Sequence, residues 1–265
     1  MSQDLSNLLD AWPYNPEDWT VRLIHGDDGR EKIQMRLDLG VLQMQMDGRP
    51  DGQRPNGCES WLHFYQQRQR ESGDAATDQA EFRLDSRDCQ ILLREGNQYY
   101  YRYRCFWSLK RYELCARDTL RNLRLFTFVR QYAAQQADKL RFDQWRPYVT
   151  MMHARAVATP LLEAGDVVGA IGVIDHGIQG IQDFLEEYSQ TQRAEDCQDL
   201  LFLQRWREEV AERSPSGRRA AKVAALHEQL NTAVAEERFE EAAHLRDELR
   251  KLQPPSAGDS PAESA

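Results

Sequence analysis

Leu226-His-Glu-Gln-Leu230-Asn-Thr-Ala233-Val-Ala-Glu-Glu-Arg-Phe239-Glu-Glu-Ala242-Ala243-His-Leu245-Arg246-Asp247-Glu-Leu249-Arg-Lys-Leu252 decides how the helical part of this chain is read. Val223, Leu226, Leu230 and Ala233 are spaced three, four and three; Ala242, Leu245, Leu249 and Leu252 repeat that spacing. Each half therefore carries a narrow apolar seam on one helix face. The charged break Glu236-Glu237-Arg238 separates the halves. Two such helices on a short connection fold back antiparallel and bury seam against seam. Phe239 follows the turn, and Ala242-Ala243 is small enough for the backbones to approach. A helical hairpin over 220–253 is the expectation.

The same residues resemble a known module. Phe239-Glu240, Ala242-Ala243, Leu245-Arg246-Asp247, Leu249 and Leu252, with Leu226 and Leu230 upstream, are similar to the UVR domain, the UvrB/UvrC motif. The resemblance implies a protein–protein docking element. In that family the hairpin joins two excision-repair subunits, and it recurs in Clp-type chaperones and in activators of protein-arginine kinases. It further implies that Phe239, Ala242, Leu245 and Leu249 supply buried contact to a partner's similar hairpin, and that Arg246 and Asp247 set polar register. A seam of this kind also pairs with its own copy, which makes a homodimer one of the expected partners.

Working outward, composition narrows the classes. The 265 residues carry a formal charge of −9, and 29% of them are charged. A mean hydropathy of −0.74 describes solvated helices. The apolar runs are too short to span a bilayer, and Met-Ser-Gln-Asp-Leu-Ser is not a secretory signal, so the expected compartment is the cytoplasm. Broad phosphate-backbone binding needs clustered Lys and Arg. Over 222–251 seven acids face five bases, so direct nucleic-acid binding is not expected. Five scattered cysteines without a Cys-x-x-Cys pair predict neither a disulfide framework nor a zinc site. Here the chain departs from the kinase-activator members of the UVR group, which carry zinc-type cysteine pairs.

The N-terminal region reads differently. Val21-Arg-Leu-Ile-His25 leads into the turn signal Gly26-Asp-Asp-Gly29. Ile33, Met35, Leu37 and Leu39 then alternate with polar residues, the pattern of a half-buried strand. At Gly40 the phase slips to Leu42, Met44 and Met46, which predicts a bulge or a turn into a third strand. Trp12 and Trp19 are read as a lid over this sheet, and residues 58–70 as a covering helix.

From Asp85 onward the expectation is helices. Asp85 is a good N-cap for a segment through Glu95, with Gly96-Asn97 as its break. In the run Tyr99 to Trp107, Tyr99, Tyr103 and Phe106 share one helix face, a core stripe rather than a stacking platform for single strands. Helix–turn–helix signatures at 109–118 and 162–171 repeat the C-terminal design, and Gly165-Asp166-x-x-x-Ala170-Ile171 resembles a tetratricopeptide (TPR) turn. The turn-to-turn distances of 55 and 72 residues do not fit that repeat's period of about 34. Asp143 is expected to cap a helix holding Pro147 in its first turn, and Pro160 to kink or shorten it.

The fold class expected is therefore α+β, mostly α: a small N-terminal antiparallel sheet with its helix (1–72), a polar linker (73–84), a body of helical hairpins (85–212), a hinge (213–219), the UVR-like hairpin (220–253) and a disordered tail (254–265). No phosphate-binding loop, nucleophile elbow or His-Glu-x-x-His pair occurs, so no catalytic residue, cofactor or metal is assigned. A non-enzymatic adaptor is expected, with a stress-response or protease/chaperone complex as partner. Two alternatives stay open: an accessory factor of nucleotide excision repair, and an enzyme with an N-terminal pocket.

Overall fold

The computed structural model describes residues 4–74, 82–213, 226, 229–230, 232–233 and 238–252. Residues 214–219 of the expected hinge (213–219), the tail and the middle of the 73–84 linker lie outside these, while Arg213 ends a helix. Contacts divide the chain into two compact units, Met1–Gln204 and Arg205–Ala265.

In the first unit a short helix, α1 (Ser6–Asp10), precedes strands β1 (Val21–His25), β2 (Glu31–Leu37) and β3 (Gly40–Gln45), paired antiparallel in that order. Register places Leu23 opposite Ile33 and Ile33 opposite Met44, so one face collects the apolar residues. Ile33, Met35 and Met44 are buried there. The phase slip at Gly40 is a two-residue turn: Leu37 pairs with Gly40, and Leu39 is 88% exposed at its tip instead of extending the apolar row. On the other face Arg22 donates to Gln34 and Gln34 to Gln43, both at 2.9 Å. Trp12 covers that polar ladder, its ring 3.9 Å below the Arg22 guanidinium, while Arg36 donates to the Trp12 carbonyl at 2.7 Å.

Helices follow: α2 (Trp61–Asp74), α3 (Ser86–Ser108), α4 (Tyr112–Tyr132), α5 (Gln136–Asp143), α6 (Arg146–Glu163), α7 (Val167–Glu187) and α8 (Gln198–Arg213). Asp85 caps α3 as expected: its side chain accepts from Asp88 N–H, and Asp88 returns to the Asp85 N–H. The expected break at Gly96-Asn97 is overturned, because α3 runs through it. Gly96 is there for close approach: a Cβ would lie 3.1 Å from Leu125 Cδ2, and the Asn122 amide donates to the Gly96 carbonyl at 3.0 Å.

Asp143 does not cap the next helix. It closes α5, buried, and accepts from the Tyr188 hydroxyl at 2.7 Å; Trp145 sits at the N-cap of α6. Pro147 occupies the first turn of α6 as expected, but Pro160 neither ends nor shortens it, since the helix continues to Glu163. Proline at this position removes the single bond back to the Ala156 carbonyl, and the remaining bonds carry the helix on.

α3 with α4, and α6 with α7, form hairpins. One backbone device closes them. The N–H of Arg111 reaches back to Phe106 O (2.8 Å) and that of Asp166 to Leu161 O (2.8 Å), across left-handed Lys110 and Gly165. This six-to-one bond satisfies the last carbonyls of a helix as it turns.

Candidate protein-interaction site

The second unit holds the hairpin. α9 (Phe239–Leu252) is its second helix, and Leu226, Gln229, Leu230, Thr232 and Ala233 are helical residues of the first. The Arg238 N–H donates to Ala233 O at 2.8 Å, the same five-residue span that closes α3 and α6.

The seam closes on itself. Leu226 (6% exposed), Ala233 (0%), Leu245 (8%) and Leu249 (4%) form one apolar cluster, with Leu230 against it. Spacings of seven along the first helix and four along α9 keep these residues on facing stripes. Arg246 and Asp247 are exposed, as is Ala243, and Glu248 is half-buried. Phe239, Ala242 and Leu252 belong to α9, but their side chains lie outside the described ones. Leu226, Leu230, Leu245 and Leu249, expected to meet a partner, are thus spent on the hairpin's own interior. Exposed Arg246 and Asp247 are the polar pair this geometry leaves on the surface.

The first unit hides a constellation that pattern reading missed. Arg102, 1% exposed, donates through Nε and Nη2 to both oxygens of Asp118 (2.6 and 3.0 Å) and through Nη1 to Gln45 O (2.9 Å). Its guanidinium lies 4.9 Å from the Tyr99 ring centroid. Arg117 extends the group to Asp47 and Met46 O. Glu95, fully buried, accepts from the Trp61 and Leu62 N–H groups at 2.7 and 3.2 Å, and pairs with Arg121. Its carboxylate thus satisfies the first turn of α2 from another helix. The only signal available was indirect: acids and bases at core phase on α3 and α4.

Every charge in this constellation is matched by protein, and it joins sheet to helices. The stripe Tyr99, Tyr103 and Phe106 is likewise core, at 6%, 1% and 0% exposure, while Tyr101 is 38% exposed. Three of the five cysteines, Cys89, Cys105 and Cys115, are buried, and all five are free thiols. Burial pushes these three thiols up to about 12, away from nucleophilic use. His176 is exposed. Among the described residues no cluster of three His, Cys, Asp or Glu is placed to hold a metal ion, and no helix is long and apolar enough to cross a membrane.

Fold and site together define a class: a mostly helical chain with a small sheet, bearing a short C-terminal hairpin with a closed apolar seam. The family model that matches is the UvrB/uvrC motif, over residues 220–253. That motif is a protein-interaction module. Comparison with curated proteins and with solved structures gave no match.

Proposed function

We propose that this chain is a non-enzymatic adaptor of the cytoplasm that docks a protein partner through its C-terminal hairpin. The observation that carries the reading is a matched UvrB/uvrC motif whose seam is already closed within one chain. A partner then meets a preformed two-helix face, and a second hairpin laid on it completes a four-helix arrangement. Arg246 and Asp247 are the polar anchors of that face. A stress-response or protease/chaperone complex is the proposed partner. The net charge of −9 supports a protein partner over nucleic acid.

The test is affinity capture from native lysate with the intact chain beside Arg246→Glu/Asp247→Arg. Both positions are exposed, so circular dichroism should be unchanged. A partner captured by the intact chain and lost from the variant supports docking through the hairpin. Recovery of UvrB- or UvrC-type subunits would move the assignment to excision repair. Identical captures by both proteins would reject the hairpin as the docking element. Light scattering of the purified chain tests pairing with its own copy.

A further inference from the structure

In the first unit α3 and α6 both pack against α4, and each brings one arginine to the same place, Arg104 from α3 and Arg155 from α6. Arg104 and Trp107 lie three residues apart on one face of α3. The Arg155 guanidinium sits on Trp107, 4.2 Å from its ring centroid, with the Phe202 ring at 4.8 Å. The Arg104 guanidinium lies 4.4 Å from the Trp19 ring centroid, and its Nη1 donates to the Tyr148 hydroxyl at 2.7 Å. Tyr148 stands two turns before Arg155 on α6. The two cations are therefore neighbours, close enough to repel each other.

Arg102, Arg117 and Arg121 each meet a carboxylate. Among the described residues neither Arg104 nor Arg155 does. Arg155 Nη1 meets sulfur instead, Met152 Sδ at 3.5 Å and Met151 Sδ at 4.0 Å, both weak acceptors. Its Nε and Nη2 have no acceptor among the described residues, yet they are not sealed in: the enclosed atoms without a partner lie elsewhere, on Arg49, Gln98, Asp143 and Arg146. Both arginines are half-buried. Burial pushes the Arg155 titration down, Tyr148 opposes it, and the Arg104 charge adds to the fall. A cation drawn partly out of water beside a like charge is unfavourable until an anion answers it.

We propose that Arg104 and Arg155 form a binding site for a phosphate-type dianion, their guanidiniums donating to its oxygens and the Tyr148 hydroxyl adding a further bond. Two cations without an acid match two negative charges, and the planar guanidinium fork matches phosphate oxygens. Ring stacking positions each guanidinium without consuming an N–H donor. Tyr148 accepts from Arg104, which leaves its own O–H free to donate. Two arginines are too few for a nucleic-acid backbone, so the ligand is a small anion, the free ion or a phosphomonoester. This site is independent of the hairpin.

Inorganic phosphate is the probe, titrated into the intact chain at constant ionic strength and slightly alkaline pH, with acetate and phenyl phosphate beside it, and followed by protein-observed NMR. Saturable binding of phosphate is expected, with acetate weaker by at least about tenfold. Arg155→Met keeps an apolar stem against Trp107 but removes the cation, and should weaken phosphate at least about tenfold, the effect of hydrogen bonds to a charged group. Arg155→Lys keeps the charge, loses the fork and should fall between that variant and the intact chain. If Arg155→Met unfolds, a weaker affinity in Arg155→Lys decides alone. Arg124→Met removes an exposed arginine of α4 and should leave the affinity unchanged. Phenyl phosphate separates the sources: tighter binding than phosphate supports the site with a phosphomonoester as ligand, weaker binding supports it with the free ion. No saturable binding, acetate binding as tightly, an affinity untouched by the Arg155 variants, or an equal loss in Arg124→Met overturns the proposal.

Discussion

The two units solve the problem of an interior in opposite ways. In the first, Arg102, Asp118 and Glu95 lie fully inside, surrounded by aromatic and aliphatic side chains. In the second, the hairpin's described interior is an apolar cluster of Leu226, Ala233, Leu245 and Leu249 with Leu230 beside it. A large core tolerates ions because neighbouring helices and strands supply every partner. The seam draws on the two helices of one hairpin, whose described members are apolar. The body is held by interactions that fail badly when halved, the hairpin by surface area that fails gradually.

The strongest way to break that comparison is Asp118→Ala. It strands the Arg102 guanidinium inside the body and should cost about 3–5 kcal/mol, measured by urea unfolding. A loss under about 1 kcal/mol would mean that water reaches the pair and that the contrast is false. Next comes Leu249→Ala in the seam, expected to cost about 2–3 kcal/mol. Hydrogen exchange should place that loss in α9 while amides of α3 and α4 keep their protection. Uniform loss across both units would show that they do not unfold separately.

Asp85→Ala removes the N-cap acceptor of α3 and should cost about 1 kcal/mol in the same assay, smaller because water can replace it. The smallest effect is a pH dependence. Burial, reinforced by the His176 charge and opposed by the Ala116 carbonyl, holds His153 below its ordinary 6.5. Its folded value is depressed, so its neutral form contributes stability above pH 6.5 that is lost as pH falls through the folded value. His153→Gln should flatten the body's stability profile below that pH. An unchanged slope assigns the acid sensitivity elsewhere.

Local pattern carried a good part of the architecture. The apolar spacing of 226–252, the Asp85 cap, the alternation through Ile33 and Met35, and the core stripe of Tyr99, Tyr103 and Phe106 all follow from short-range rules. What escaped was non-local. Gly96-Asn97 looked like a break because the helix on the other side, with Leu125 and Asn122, was invisible in sequence. Asp143 looked like a cap because its real partner, Tyr188, lies 45 positions away. The burial of Glu95 and Arg102 escaped for the same reason, since their partners Trp61, Leu62 and Asp118 lie on other helices. In the hairpin the opposite holds: the seam partners are near in sequence, so the element was legible.

The contact between Glu95 and the first turn of α2 has a consequence for the order of assembly. The carboxylate that receives Trp61 and Leu62 N–H groups comes 34 and 33 residues later in the chain. During synthesis those amides leave the ribosome well before their acceptor does. An N-terminal fragment cut before residue 95 keeps every side chain of α2 yet lacks that acceptor, so the beginning of this helix is written downstream of the helix itself.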